Sequence, residues 1–272
     1  MSNIWQKLTG WARSPVVPID ETLWHHATDQ YGFMNGLSTE ERRRLRLIAS
    51  DFLARKSIVG AGEAVLSPKM KVEIAAQASI LVLELGLIYF DRWSDVIVYP
   101  GQFMPEREVV DEIGVVHQTR DALAGEAWLG GPVVLSYEDV ARVGSMDAVA
   151  GFNVVIHEFA HKLDMLNGDA NGFPPLHKGM SSSQWQQSFK AAYLEFCQAV
   201  DHADAIANKD GGAALAALPL DPYASESPAE FFAVLSEAFF ELPSETRANF
   251  PPVYALLRDF YRQDPAERQQ KH

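Results

Sequence analysis

Residues 150–168 set two imidazoles and a carboxylate, those of His157, His161 and Glu158, into an otherwise apolar run. Val154, Val155, Ile156, Phe159, Ala160, Leu163 and Leu166 fall on nearly every side of a 3.6-residue period, as in a helix buried within a core. Asn167-Gly168 supplies a fitting stop. At about 100° per residue the two histidines lie about 40° apart and one turn apart in height, so both rings can converge on one point. Two ionisable rings in an apolar helix are costly unless something pairs with them, so the fold has to bring a partner to this helix.

The pattern is H-E-x-x-H, the ligand pair and general base of a zinc metalloprotease helix. Glu158 borders the ligand face, where a carboxylate reaches a metal-bound water without itself being a ligand. With 8 His and 36 acidic residues in 272, a random chain shows His-acid-x-x-His roughly 0.03 times, so chance accounts for it poorly. The plainer alternative is a buried helix whose histidines only hydrogen-bond to their neighbours.

At 272 residues and 47% hydrophobic, the chain can bury a substantial core. A net charge of −13 argues against a nucleic-acid backbone or an anionic membrane as the main partner, since both demand a basic surface. Cys197 is the one cysteine, so no internal disulfide is possible. Residues 1–10 lack the basic-then-apolar plan of a signal peptide, and together these features predict a cytoplasmic protein. Residues 74–90 are nearly all apolar, but the run is short for a membrane span and carries Gln77, Ser79 and Glu84, which favours a buried core helix.

The elements read as α+β: a mostly helical fold with a small mixed sheet beside the H-E-x-x-H helix. A single domain covers residues 1–272, with a poorly matched N-terminal arm over about residues 1–36; up to Pro18 it reads as irregular or as a short surface helix. Ser38-Thr-Glu-Glu41 is a capping box for a helix to about Lys56, with Leu45, Leu47, Ile48, Phe52 and Leu53 inside. Ser67-Pro68 opens the helix that contains residues 74–90. Val96 to Tyr99, Gly114 to His117 and Pro132 to Ser136 are β-branched runs bounded by Gly and Pro, and so read as strands. An exposed edge of their sheet could lie beside the metal and bind an extended peptide, or the strands could only roof the core. Helices follow from Ser183, from Ser227 to about Glu241 and after Pro251-Pro252, with a Gly- and Ala-rich insertion at Asn208 to Ala217.

A catalytic zinc site needs a third protein ligand and one position left for water. Residues 223–237 offer Glu226, Glu230 and Glu237, and Glu230, just before Phe231-Phe232, points inward. Ser227-Pro-Ala-Glu230 is also a capping box, whose Glu would fold back on the Ser amide. Spacing alone leaves the two readings level, with Glu237 as a fallback ligand or a partner to a ligand. Asp164 either orients a ligand ring or is a solvated residue near the helix end.

The residues Leu83-Glu-Leu-Gly-Leu87, Val96-Ile-Val-Tyr-Pro100, Ile156-His-Glu-Phe-Ala-His-Lys-Leu-Asp164, Asn167-Gly-Asp169, Pro222-Tyr-Ala224, Pro228-Ala-Glu230 and Ala233-Val-Leu-Ser-Glu237 resemble the zinc-dependent peptidases of the Mlc titration factor A family over about residues 37–264. The H-E-x-x-H helix, with a Tyr seven residues ahead of a zinc-binding Glu, also resembles the catalytic domain of anthrax lethal factor. The resemblance implies a zincin-like fold of gluzincin type and one Zn2+ held by His157, His161 and Glu230. It implies Glu158 as base and Tyr223 as oxyanion stabiliser, although Tyr223 could equally be a half-buried aromatic in a turn. The implied activity is peptide hydrolysis, of aminopeptidase type, by a monomer. Departure from the family pattern is largest at residues 176–220, which bears on the substrate rim. A rival function also follows from the resemblance, because the family's namesake binds the glucose repressor Mlc and relieves repression of sugar uptake. On that reading the chain sequesters a Mlc-like transcriptional repressor, with weak or vestigial peptidase activity. Structural zinc without chemistry is disfavoured, since such sites are usually closed by four protein ligands, often cysteines.

Overall fold

The computed structural model of the chain describes residues 16–62, 64–101, 107–110, 116–119, 131–145 and 150–270. Helix starts follow local capping chemistry. Asp20 accepts the Leu23 amide at 3.0 Å to open α1 (Glu21–Thr28). Ser38 and Glu41 each accept the other's backbone amide at the head of α2 (Thr39–Arg55), the reciprocal box expected there. Ser67 accepts the Met70 amide to open α3 (Pro68–Leu81).

α3 ends at Leu81 and does not continue to Phe90 as the apolar run suggests. Arg44 of α2 donates to the Leu83 carbonyl at 2.8 Å and to the Glu84 carboxylate at 3.1 and 3.0 Å, drawing this segment away from helical pairing. Gly86 then takes a φ of 84°, which a side chain would resist, and Leu87–Phe90 forms a single 3-10 turn. Leu47, expected inside, is 37% exposed, whereas Leu45 and Phe52 of the same helix are fully buried.

β1 (Ser57–Gly60), β2 (Asp95–Tyr99) and β5 (Val133–Ser136) form a parallel sheet in the order β1-β2-β5, while β3 (Arg107–Val110) and β4 (Val116–Thr119) pair antiparallel as a separate two-stranded unit. The expected mixed sheet is therefore corrected to a parallel one. Parallel neighbours need long crossovers, and α3 lies in the crossover from β1 to β2. Two of the three expected strands coincide with β2 and β5. The third, residues 114–117, begins outside the described residues, and its described part pairs with β3 and not with the larger sheet. β1 carries little signal in the sequence because it is four residues long and only Ile58 of it is buried.

Beyond the sheet the chain forms α4 (Tyr137–Arg142), α5 (Val154–Asp164), α6 (Ser182–Asp210), α7 (Ala213–Ala216), α8 (Pro228–Glu241), α9 (Pro243–Asn249), α10 (Pro251–Tyr261) and α11 (Pro265–Gln270). α5 packs against α8, α3 and β5. Phe159 anchors it, its ring 5.6, 5.1 and 5.3 Å from those of Phe52, Phe90 and Trp93. α8 is buried throughout residues 229–240, so its polar groups must find partners within the protein. Trp24, Tyr31, Phe33 and Met34 are also buried in the core, which places residues 24–34 within the fold. Of the N-terminal arm, residues 1–15 lie outside the described residues. The architecture is α+β and mostly helical, and among the described residues no helix is long and apolar enough to cross a membrane.

Candidate metal centre

Asn153 fixes the start of α5 by accepting the Ile156 amide at 3.0 Å. One and two turns on, the Nε2 atoms of His157 and His161 come within 3.2 Å of each other. Glu230, in the first turn of α8, brings its Oε2 to 3.0 Å from His157 Nε2 and 3.3 Å from His161 Nε2. Three ligands at the 2.0–2.1 Å bond lengths of tetrahedral zinc stand about 3.3 Å apart, so this triangle has the spacing that such an ion requires. His157, His161 and Glu230 are 8%, 1% and 7% exposed, and the group can hold a metal ion.

The electrostatics point the same way. Burial acts to raise the Glu230 carboxyl, but the two histidines outweigh it and hold the group at about 2. Burial acts to lower His157, yet its hydrogen bonds to Glu230 and Glu237 carry it well above the usual imidazole range. The two shifts are the two sides of one buried pairing, in which the carboxylates of Glu230 and Glu237 favour positive charge at His157. The Glu230 conflict resolves without sacrificing the helix cap: Ser227 Oγ accepts the Glu230 amide at 3.2 Å while the Glu230 carboxylate turns to the histidines.

Glu237, two turns further along α8, accepts from His157 Nδ1 at 2.7 Å. With the proton held on Nδ1, the Nε2 lone pair is free for a metal. Glu237 also accepts the Asn153 backbone amide, and Asn153 Nδ2 donates to Glu241 at 2.7 Å. Glu230, Glu237 and Glu241 thus lie along one stripe of α8 against the start of α5. Burial raises Glu237, and it lifts Glu241 to about 7. Glu226 is exposed and outside the group.

Tyr223 sits in a 3-10 turn (Pro222–Ser225) capped by Asp221, which accepts its amide at 2.8 Å. Its ring centroid is 6.1 Å from that of His157. Burial and the nearby Glu230 and Glu158 carboxylates push the phenol upward, so it stays a hydrogen-bond donor. Glu158 and Tyr223 line a cavity of about 630 Å3 that opens beside the group.

Of the two readings of Asp164, the solvated one is overturned. It is fully buried, and one carboxylate oxygen accepts the Asn171 and Gly172 amides at 2.7 Å each. Gly172 O accepts from Trp185 Nε1 at 2.9 Å, and its Cα face lies between α8 and α6, where an added Cβ would come 2.5 Å from Pro228 O of α8 and 2.7 Å from Phe189 Cε1 of α6. These contacts fix the first turn of α8, and with it Glu230. Because Gly172 also has a φ of +74°, Gly172→Ala is expected to cost about 2–4 kcal/mol, measured as a lower urea midpoint. An unchanged midpoint would show that this packing does not matter. Nothing in the sequence marks Gly172 among the 18 glycines, because its constraint comes from residues far along the chain.

A family model described as "Glucose-regulated metallo-peptidase M90" matches residues 5–262, and so extends well N-terminal of the motifs quoted above. The chain is 37% identical over 262 residues to the Mlc titration factor A of Pectobacterium atrosepticum, covering 95% of this chain and 93% of that protein. It is 35% identical over 246 residues to the Mlc titration factor A of Yersinia pestis and to that of Yersinia pseudotuberculosis, covering 90% of this chain and 86% of each.

Proposed function

We propose, from the premise that this chain belongs to the glucose-regulated metallo-peptidase M90 family, that it is a zinc-dependent aminopeptidase of the gluzincin type with a zincin-like fold. The observation that carries this reading is the triangle of His157 Nε2, His161 Nε2 and Glu230 Oε2, with sides of 3.2, 3.0 and 3.3 Å. Two neutral nitrogens and one carboxylate suit Zn2+, and with three protein ligands a fourth position is left for chemistry.

A zinc ion held there would supply a Lewis acid for the scissile carbonyl and an acidified water as nucleophile. Glu158 faces the cavity from α5 and takes the proton of the attacking water, then delivers it to the leaving amine. Tyr223, kept protonated, donates a hydrogen bond to the developing oxyanion. Glu237 holds His157 in the tautomer that binds metal.

Charge supports the amino-terminal preference. The cavity lining includes Glu158, Asp221 and Glu237 and, among the described residues, no Lys or Arg. Such a wall attracts a free α-ammonium and repels a terminal carboxylate. The zinc-loaded protein is therefore expected to hydrolyse peptides with a free amino terminus and to spare the same peptides when acetylated. Equal turnover of both sets would make it an endopeptidase, and no turnover with zinc bound would remove the peptidase reading.

The name of these relatives, Mlc titration factor A, favours a second reading, in which the chain binds a Mlc-like transcriptional repressor in the cytoplasm. Its net charge of −13 suits capture of a basic DNA-binding protein. Co-elution of the purified chain with such a repressor would support this reading, and separate elution would count against it.

A further inference from the structure

The cavity beside Glu158 is larger and more apolar than the metal chemistry requires, and one wall comes from the stretch that leads from α7 to the Tyr223 turn. Leu215, Leu218 and Leu220 line it from that stretch; Val154, Val234 and Leu242 line it from α5, α8 and the residue after α8. Phe152 lines it too, and it and Tyr223 are large side chains left 38% and 39% exposed. Exposed aromatics at the edge of an apolar cavity are what a ligand covers.

The wall is built in place. α6 ends at Gly211 and Gly212, whose φ values of 67° and 82° reverse the chain, and Asp210 holds the reversal by accepting the Gly212 and Ala214 amides at 2.9 Å each. The returning chain reaches Leu220, which is buried, and passes directly to Asp221 and Tyr223. On the other side Gly151 takes a φ of 82°, with its Cα face so near Leu242 that an added Cβ would lie 2.9 Å from Leu242 Cδ1. This close approach sets the position of Phe152, the next residue. A cavity of about 630 Å3 lies within the usual range for small-ligand sites, about 300–1,000 Å3, and has room for a large side chain and adjoining peptide.

We propose that this cavity is a specificity pocket, with the 215–220 stretch as its wall, and that it takes a large apolar side chain, such as leucine, methionine or phenylalanine, next to the bond to be cut. The proposal rests on the peptidase reading above and adds the substrate class. Acidic side chains are excluded by the same geometry, because they would enter an apolar cavity that already holds three carboxylates and, among the described lining residues, no cation.

The test uses free-amino tripeptides X-Ala-Ala and Ala-X-Ala, with X as Ala, Leu, Phe or Asp, on the zinc-loaded full chain. At one of the two positions kcat/KM for Leu or Phe is expected to exceed that for Ala by about tenfold or more, with Asp below Ala. Leu218→Asp is expected to collapse the Leu-to-Ala ratio towards one, and Ala216→Trp, which fills the wall without adding charge, is expected to do the same should the first variant fold poorly. Calorimetric binding of the same peptides to Glu158→Gln reads the pocket without turnover. Cleavage without apolar preference at either position overturns the pocket and leaves the peptidase reading standing. Leu-selective binding without cleavage by the wild type keeps the pocket and sinks the peptidase. Absence of both binding preference and cleavage removes both.

Discussion

Glu158→Gln is expected to retain zinc at the wild-type level and to lower peptide hydrolysis by about 10²–10⁴-fold, the usual contribution of a positioned acid–base group. Retention follows from geometry: the converging ligand atoms are those of His157, His161 and Glu230, and Glu158 is not among them. The loss follows from chemistry. Glutamine has the shape of glutamate and keeps its place beside the cavity, but it cannot accept the proton of an attacking water. Zinc per chain measured together with kcat separates the two effects. A variant with full turnover would remove Glu158 from the base role, and one that loses both zinc and activity would show that the side chain supports the ligand set.

Only part of this site is legible along the chain, and the division follows the range of the interactions. His157, Glu158 and His161 are visible because their relation is a helical period, which four residues of spacing express completely. The caps at Ser38 and Ser67 are visible for the same reason. Glu230 is ambiguous because its local sequence satisfies a capping motif, and the side chain departs from that motif only on meeting histidines 73 and 69 positions earlier. The burial of Asp164 and the constraint on Gly172 are not legible because their partners come from the 169–173 turn, α6 and the head of α8. The parallel sheet escapes notice because β1 pairs with a strand almost forty positions away and buries a single side chain. Tyr223 lies between these cases: its position seven residues before Glu230 carries meaning only through a family resemblance, and its placement beside His157 depends on the Asp221 cap.

The largest effect on metal retention is expected at Glu230, and comparison with Glu237 is what makes it informative. Both are buried carboxylates of α8 and both touch His157, Glu230 at Nε2 and Glu237 at Nδ1. Only Glu230 also reaches His161. Glu230→Ala removes one of three converging donors, so zinc affinity measured against a chelator should fall by more than the 10–100-fold typical of losing a partner that merely orients a ligand. Glu237→Gln keeps one acceptor for the Nδ1 proton but loses the charge and the second acceptor, which takes the Asn153 amide; it leaves all three converging donors in place, so the loss should fall within that range. Circular dichroism of the metal-free variants guards against the trivial outcome, since both residues lie in a helix buried over residues 229–240. A larger loss at Glu237 than at Glu230, with both variants folded, would mean that the ion sits on the opposite side of the His157 ring, and the third ligand would have to be reassigned.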